Sequence, residues 1–197
     1  MEEKRESRRT RYTKAVIRQA FLFLMEKKNI NKITVKEICE TADVNRGTFY
    51  SYYKDAYDLL DKIEGELYDE IFGALKGHNP REVIYEIFCR IQKNSDLCKV
   101  LFSDNGDHDF LKRVMYIAEK ACIDDWAEKM HTDDIVLLRY IYAFTAVGSV
   151  GIIREWIGGG MKESAEEMSE IVSRITYGGL GVFEAPEKNK MKEAYMI

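Results

Sequence analysis

The sequence predicts an all-α protein, with an N-terminal three-helix domain joined by a connecting helix to a larger helical body. Three observations carry that expectation. Apolar residues recur at spacings of three and four in segment after segment, and no alternating strand pattern holds anywhere. Only two prolines occur in 197 residues, so little interrupts the helices. Polar residues able to accept hydrogen bonds stand just before the apolar runs, where a helix start leaves N–H groups free.

Taken in order, a charged arm leads into a first helix over residues 13–28, striped by Ala15, Val16, Ile17, Ala20, Phe21, Phe23 and Leu24. Asn29 to Lys32 break it. Thr34 with Glu37 three residues on is a capping box, so a second helix starts at Val35. Ala42-Asp43-Val44-Asn45 turns the chain, and Asn45 caps a third helix over residues 46–53. Asp55 caps a fourth that runs to about Lys76 and carries Leu59, Leu60, Ile63, Leu67, Ile71 and Leu75 on one face. Gly77-His78-Asn79-Pro80 is the clearest break and the expected domain seam. Further helices are expected over 81–93, 96–102 and 110–129, with loops at 104–107 and 132–133. A long apolar helix over 134–156 ends at Gly158-Gly159-Gly160, and residues 164–177 form the last helix. The expected domains are 1–54 with the connecting helix 55–76, a body over 77–183, and a solvated tail over 184–197.

Hydrophobic residues at 46% and charged residues at 32% suit a soluble chain that buries a real core. The N-terminus is charged, and no uninterrupted run of 18 apolar residues occurs, so neither a signal peptide nor a membrane span is expected. A cytoplasmic location follows. Cys39, Cys89, Cys98 and Cys122 are scattered without a CxxC pair, which suits reduced, mostly buried thiols. His78, His108 and His131 are far apart, with neither metal-ligand spacing nor a nucleophile beside them, and no glycine-rich phosphate loop exists. No metal, cofactor or enzymatic activity is expected. The net charge of −4 hides a division: residues 1–54 hold 13 Lys and Arg against 7 Asp and Glu, while the rest is acidic. A basic head on an acidic body is the asymmetry of a chain that brings one end to phosphate.

The second and third helices, joined by a tight turn, read as a helix-turn-helix. Val35, Ile38, Cys39, Ala42, Val44, Phe49 and Tyr53 fall on the inward side. Thr34, Lys36, Asn45, Arg46, Gly47, Thr48, Tyr50, Ser51, Tyr52 and Lys54 are left as candidate DNA-binding residues. An arginine at the start of such a helix reaches a guanine edge bidentately in the major groove, and hydroxyls, Lys and helix-start amides reach phosphates.

The segment ITVKEICETADVNRGTFYSYYKDAYDLLDKI, with Gly47-Thr48-Phe49-Tyr50, Tyr53, Lys54 and Leu59-Leu60 in place, resembles the N-terminal domain of TetR/AcrR-family regulators over residues 12–65. That resemblance implies that Arg46, Gly47, Thr48, Tyr50 and Tyr52 contact an operator, with Thr34 and Lys54 on phosphates. Two departures stand out. Asp43 replaces the family's usual turn glycine, and an Asp tolerates the left-handed conformation. Ala56 stands where the family often opens its fourth helix with a phosphate-binding lysine.

In the body, the stretches VLFS, GIIREW and SAEEM are similar to the subgroup related to the dihydroxyacetone kinase activator, over residues 85–177. Phe88, Phe102, Phe110, Met115, Tyr116, Trp126, Tyr140, Tyr142 and Phe144 fit either a hydrophobic effector cavity or ordinary core. Ala143, Ala146, Gly148, Ser149 and Gly151, with Ala165, Ser169 and Ser173, fit close helix packing within one chain or between two. The resemblance implies a homodimer through the last two helices on a palindromic double-stranded operator. It also implies a repressor released by a small hydrophobic effector. The alternative is a regulator or activator governed by a protein partner.

Overall fold

The computed structural model describes residues 7–75, 80–103, 106 and 108–181. Every regular element among them is helical: α1 (Arg8–Met25), a 3-10 turn (Ile30–Lys32), α2 (Val35–Ala42), α3 (Arg46–Tyr50), α4 (Ala56–Leu75), α5 (Pro80–Lys93), α6 (Ser95–Leu101), α7 (His108–Met130), α8 (Ile135–Gly158) and α9 (Ala165–Leu180). The expected seam at 77–79, loop residues 104, 105 and 107, and the tail over 184–197 lie outside the described residues. The chain divides into two compact units, one drawn from residues 1–70 and 94–112, the other from 71–93 and 113–197.

In the first unit α1 packs on α2 and α6, and α2 on α3. Its buried side chains include Ile17, Phe21 and Met25 of α1, Ile38 of α2, Phe49 of α3, Leu59 of α4, and Leu97 and Leu101 of α6. Burying a side chain of this size stabilises the fold by about 1.5–3 kcal/mol. Two expectations for α1 are corrected. The helix starts at Arg8 because the Ser7 hydroxyl accepts the Thr10 N–H at 3.2 Å, a cap invisible to apolar periodicity. Ala15 and Phe23 of the expected stripe are exposed, and the Phe23 ring lies 3.6 Å below the Lys27 ammonium. α3 also ends earlier than expected. The Tyr52 and Tyr53 amides both donate to the Phe49 carbonyl, tightening the chain into a turn that still points Tyr53 inward.

In the second unit α5 lies along α9, and α8 also meets α9. Phe88 meets Trp156 edge to face at 5.3 Å, and the Trp156 indole donates to the Glu163 carbonyl at 3.1 Å. Trp126, Met130, Leu138, Tyr142 and Leu180 form a buried cluster between α7, α8 and α9. Within it the Tyr142 hydroxyl donates to the Met115 carbonyl, and burial drives that phenol's pKa up. Ser164 and Glu167 make a second capping box at the start of α9. Tyr116, Tyr140 and Phe144 are exposed and so are not core inside this chain, while Tyr140 and Phe144 line an open apolar groove between α8 and α9. α8 is long and apolar enough to cross a membrane by length and composition alone, although it contains no uninterrupted run of 18 apolar residues. Leu137, Ile141 and Ala146 of this helix pack against the buried cluster, while Tyr140, Phe144 and Val147 stand exposed.

All four cysteines are free, with Cys39 and Cys98 buried. Burial pushes the Cys98 and Cys122 thiols up to about 12, which keeps both protonated and unreactive near neutral pH.

Candidate nucleic-acid interface

The start of α2 is built by its capping box. The Thr34 hydroxyl accepts the Glu37 N–H at 3.3 Å, and Glu37 Oε2 accepts the Thr34 N–H at 3.0 Å. The same hydroxyl donates to Glu37 Oε2 at 2.9 Å, so its proton and a lone pair are both engaged within the helix start. Lys28 reaches over from the end of α1 to Glu37 Oε1 at 2.5 Å. The hydrogen bond from Lys28, then those from the Thr34 backbone and side chain, hold the Glu37 carboxyl down at about 2. Lys36 stands exposed one position inside the helix, with a loose 3.7 Å pair to Glu40.

Asp43 closes α2 in the left-handed conformation, φ 53° and ψ 47°, as its short polar side chain permits. Asn45 then caps α3, its Oδ1 accepting the Thr48 N–H at 2.7 Å and the Thr48 hydroxyl at 3.1 Å. A Cβ at position 47 would lie 3.2 Å from that same oxygen, so Gly47 leaves room for the cap. The Ser51 hydroxyl donates back to the Gly47 carbonyl at 2.8 Å. Asn45, Thr48 and Ser51 therefore use their side chains to shape α3. Arg46, Tyr50 and Lys54 project to solvent, and Tyr52 is half-buried. On the inward side Phe49 is wholly buried and meets Tyr53 at 5.5 Å. Ile38 and Cys39 are buried, while Val35, Ala42 and Val44 are half-buried. Burial raises the Cys39 thiol, against the pull of the Arg46 charge.

The end of this head is tied by Asp58 and Lys62, which sequence reasoning missed. The Lys62 ammonium donates to the Tyr52 carbonyl at 2.8 Å and to Asp58 Oδ2 at 2.9 Å. The same Asp58 oxygen accepts the Lys54 N–H at 2.9 Å, and Asp55 caps α4 by accepting the Asp58 N–H at 2.8 Å. The Lys62 and Lys54 hydrogen bonds lower the Asp58 pKa. The i, i+4 spacing of Asp58 and Lys62 is a signal that could have found the pair, but no spacing rule points to the reach of Lys62 to Tyr52. Lys14 of α1 lies 5.6 Å from the Tyr52 ring centroid. Ala56, which opens α4, is buried. The result is a short, capped helix that exposes Arg46 and Tyr50, with Lys54 exposed just past its end, a chemistry matched to base edges and phosphates.

Comparison with known proteins finds relatives along most of the chain. The family model of a TetR-type transcriptional regulator C-terminal region matches residues 78–178, just over half of the chain. The chain is 24% identical over 169 residues to the uncharacterized HTH-type transcriptional regulator YxbF of Bacillus subtilis (strain 168), spanning 80% of this chain. It spans 43% of that protein's own length. It is 23% identical over 187 residues to the HTH-type dhaKLM operon transcriptional activator DhaS of Lactococcus lactis subsp. lactis (strain IL1403), covering 88% of this chain and 93% of that one. Among solved structures, a TetR transcriptional regulator from Streptococcus agalactiae 2603V superposes with a TM-score of 0.62 at 24% identity, over 90% of this chain and 97% of that one. The dihydroxyacetone kinase operon activator DhaS superposes with a TM-score of 0.61 at 22% identity, over 88% and 98%. These structural likenesses concern the fold.

Proposed function

The chain belongs to the TetR family of transcriptional regulators, and on that footing we propose that it binds a palindromic double-stranded operator as a homodimer, repressing transcription until a small hydrophobic effector releases it. The observation that carries the reading is the exposed pair Arg46 and Tyr50 on a short helix capped by Asn45, with Lys54 exposed just past its end. In this reading Arg46 reads a guanine edge, and Thr48, Tyr50 and Tyr52 line the base and sugar contacts. Thr34, Lys36 and Lys54 face phosphates, while Asn45, Gly47 and Ser51 hold the reading helix in shape. Residues 1–54 with the connecting helix 55–76 act as the DNA-binding domain, and 77–183 as the regulatory and dimerisation domain. The protein works in the cytoplasm and catalyses no reaction.

The exposed face of α8 and α9 supports the homodimer. Tyr140, Phe144 and Val147 are 71%, 80% and 64% exposed, and Ile171 and Ile175 continue the apolar surface on α9. A Cβ at Gly148 or Gly151 would meet nothing within 4 Å, so their smallness serves no packing inside this chain. A second copy laid on this face gives both features a use and places two reading helices on successive major grooves. The Trp126 indole N–H supports the effector. It is buried without an acceptor in the cluster around Tyr142, and such a donor in an apolar setting suits an apolar ligand carrying one acceptor oxygen. Effector and DNA must then weaken each other's binding by the same factor.

A second reading, an activator answering to a protein partner, is favoured by the activator named among the relatives. A reporter behind the recovered operator separates the two. Deleting the regulator raises expression if it represses and lowers it if it activates.

A further inference from the structure

The buried cluster of Trp126, Met130, Leu138, Tyr142 and Leu180 holds one group that apolar packing does not explain. Trp126 is 2% exposed, and its indole N–H has no acceptor. Buried donors ordinarily find a partner, as the Trp156 indole does at the Glu163 carbonyl. The phenol beside Trp126, with ring centroids 6.2 Å apart, is committed elsewhere: the Tyr142 hydroxyl donates to the Met115 carbonyl. The charges around the cluster indicate what the missing acceptor is. Burial and then the Asp125 charge raise the Cys122 thiol; burial, then Cys122 and Glu119, raise the Tyr142 phenol. Both groups therefore stay neutral in a field set by carboxylates. The cations there are engaged. Lys129, 4.8 Å from the Tyr177 ring centroid, pairs with Asp125 at 2.8 Å, and Arg139 pairs with Glu119 at 3.8 Å. An anion brought to the indole would give up its water beside those carboxylates for a single neutral donor. An uncharged oxygen loses far less and gains the same hydrogen bond. The cluster also has a way in, because Leu180, with Leu137 and Ile141 packed against it, lines the open groove of about 450 Å³ between α8 and α9.

We propose that Trp126 is the polar contact of the effector site, and that the effector is an uncharged, mostly apolar molecule with one carbonyl oxygen, a ketone or an ester, and not a carboxylate. This rests on the effector reading above and narrows it to a chemical class. The indole N–H donates to the carbonyl oxygen, which fixes the ligand's orientation, while its apolar remainder packs on Met130, Leu138 and Leu180. Glu119 and Asp125 reject the anionic analogue of the same length, so selection comes from repulsion as well as attraction.

The test uses the full chain labelled with nitrogen-15, whose two tryptophans give two indole N–H resonances. Through-space contacts to Tyr142 and to Phe88 assign them to Trp126 and Trp156. The probes are straight-chain methyl ketones of about eight to twelve carbons, a length suited to a few hundred Å³ of apolar room, with the carboxylates of equal length and the parent alkanes. Ketones should shift the Trp126 resonance to lower field, leave that of Trp156 in place, and release a fluorescent duplex selected by the protein. Carboxylates and alkanes should bind about tenfold more weakly or worse, and Trp126→Phe should weaken ketone binding by about tenfold. The wild-type titration decides the matter by itself should that variant fold poorly. Carboxylates that bind as tightly as ketones overturn the uncharged class. Ketones that release the duplex without moving the Trp126 resonance overturn this site and leave the effector reading standing. A Trp126 shift without release keeps the site and overturns the effector reading, and neither shift nor release with any probe overturns both.

Discussion

Arg46 and Lys54 are both exposed cations within nine residues of one another, yet removing each has a different consequence. In the proposed reading Arg46 makes a bidentate base contact, so Arg46→Ala should lower discrimination at one operator position by about 1–3 kcal/mol while other positions keep theirs. In the same reading Lys54 contacts a phosphate, so Lys54→Ala should weaken all sequences together and lower the salt slope by about 1. Binding titrations against single-base operator variants separate the two. Glu37 makes a prediction about pH. Its folded pKa of about 2 lies below the ordinary 4.5, so its contribution is complete above pH 4.5 and is lost as the pH falls from there towards 2. The melting temperatures of wild type and Glu37→Gln should differ at neutral pH and converge at acid pH. A pH-independent gap contradicts the role given to the ionised carboxylate. The caps at Thr34 and Asn45 were legible because both partners lie within three residues. Lys28 on Glu37 and Lys62 on the Tyr52 carbonyl were not, because they bridge separate elements and follow no spacing rule.

At the scale of elements, the turn between α2 and α3 holds the head's geometry, and Asp43 is its strained point. Asp43→Val places a β-branched side chain at φ 53° and should cost about 1–2 kcal/mol, read as a lower denaturation midpoint. Equal stability would mean that the turn relaxes to another conformation. Helix starts marked by a capping residue were read to within a residue for α2, α3, α8 and α9. The start of α1 was not, since Ser7 caps a polar, basic stretch with no apolar period to announce it. The end of α3 was also hidden. Phe49 and Tyr53 keep the spacing of a helix while the chain between them has already turned.

For the whole molecule, the apolar face of α8 marks the limit of what one chain's sequence reveals. Tyr140 and Phe144 look like core by composition, but they are exposed, because periodicity does not say which chain an apolar face packs against. If the proposed homodimer forms through this face, Phe144→Glu should abolish it in light scattering while the monomer keeps its helical content, and operator affinity should fall steeply as the second half-site is lost. A Phe144→Glu protein that remains dimeric and binds as before places the interface elsewhere. The central claim, that this head reads a specific operator, meets its most direct test in selecting fragments from random duplex DNA with the purified full chain. The account predicts that recovered fragments share an inverted repeat with half-sites about one helical turn apart, and that Arg46→Ala broadens the base preference at one symmetric pair of positions. Fragments without a common sequence, or the same repeat recovered equally well by Arg46→Ala, would contradict it.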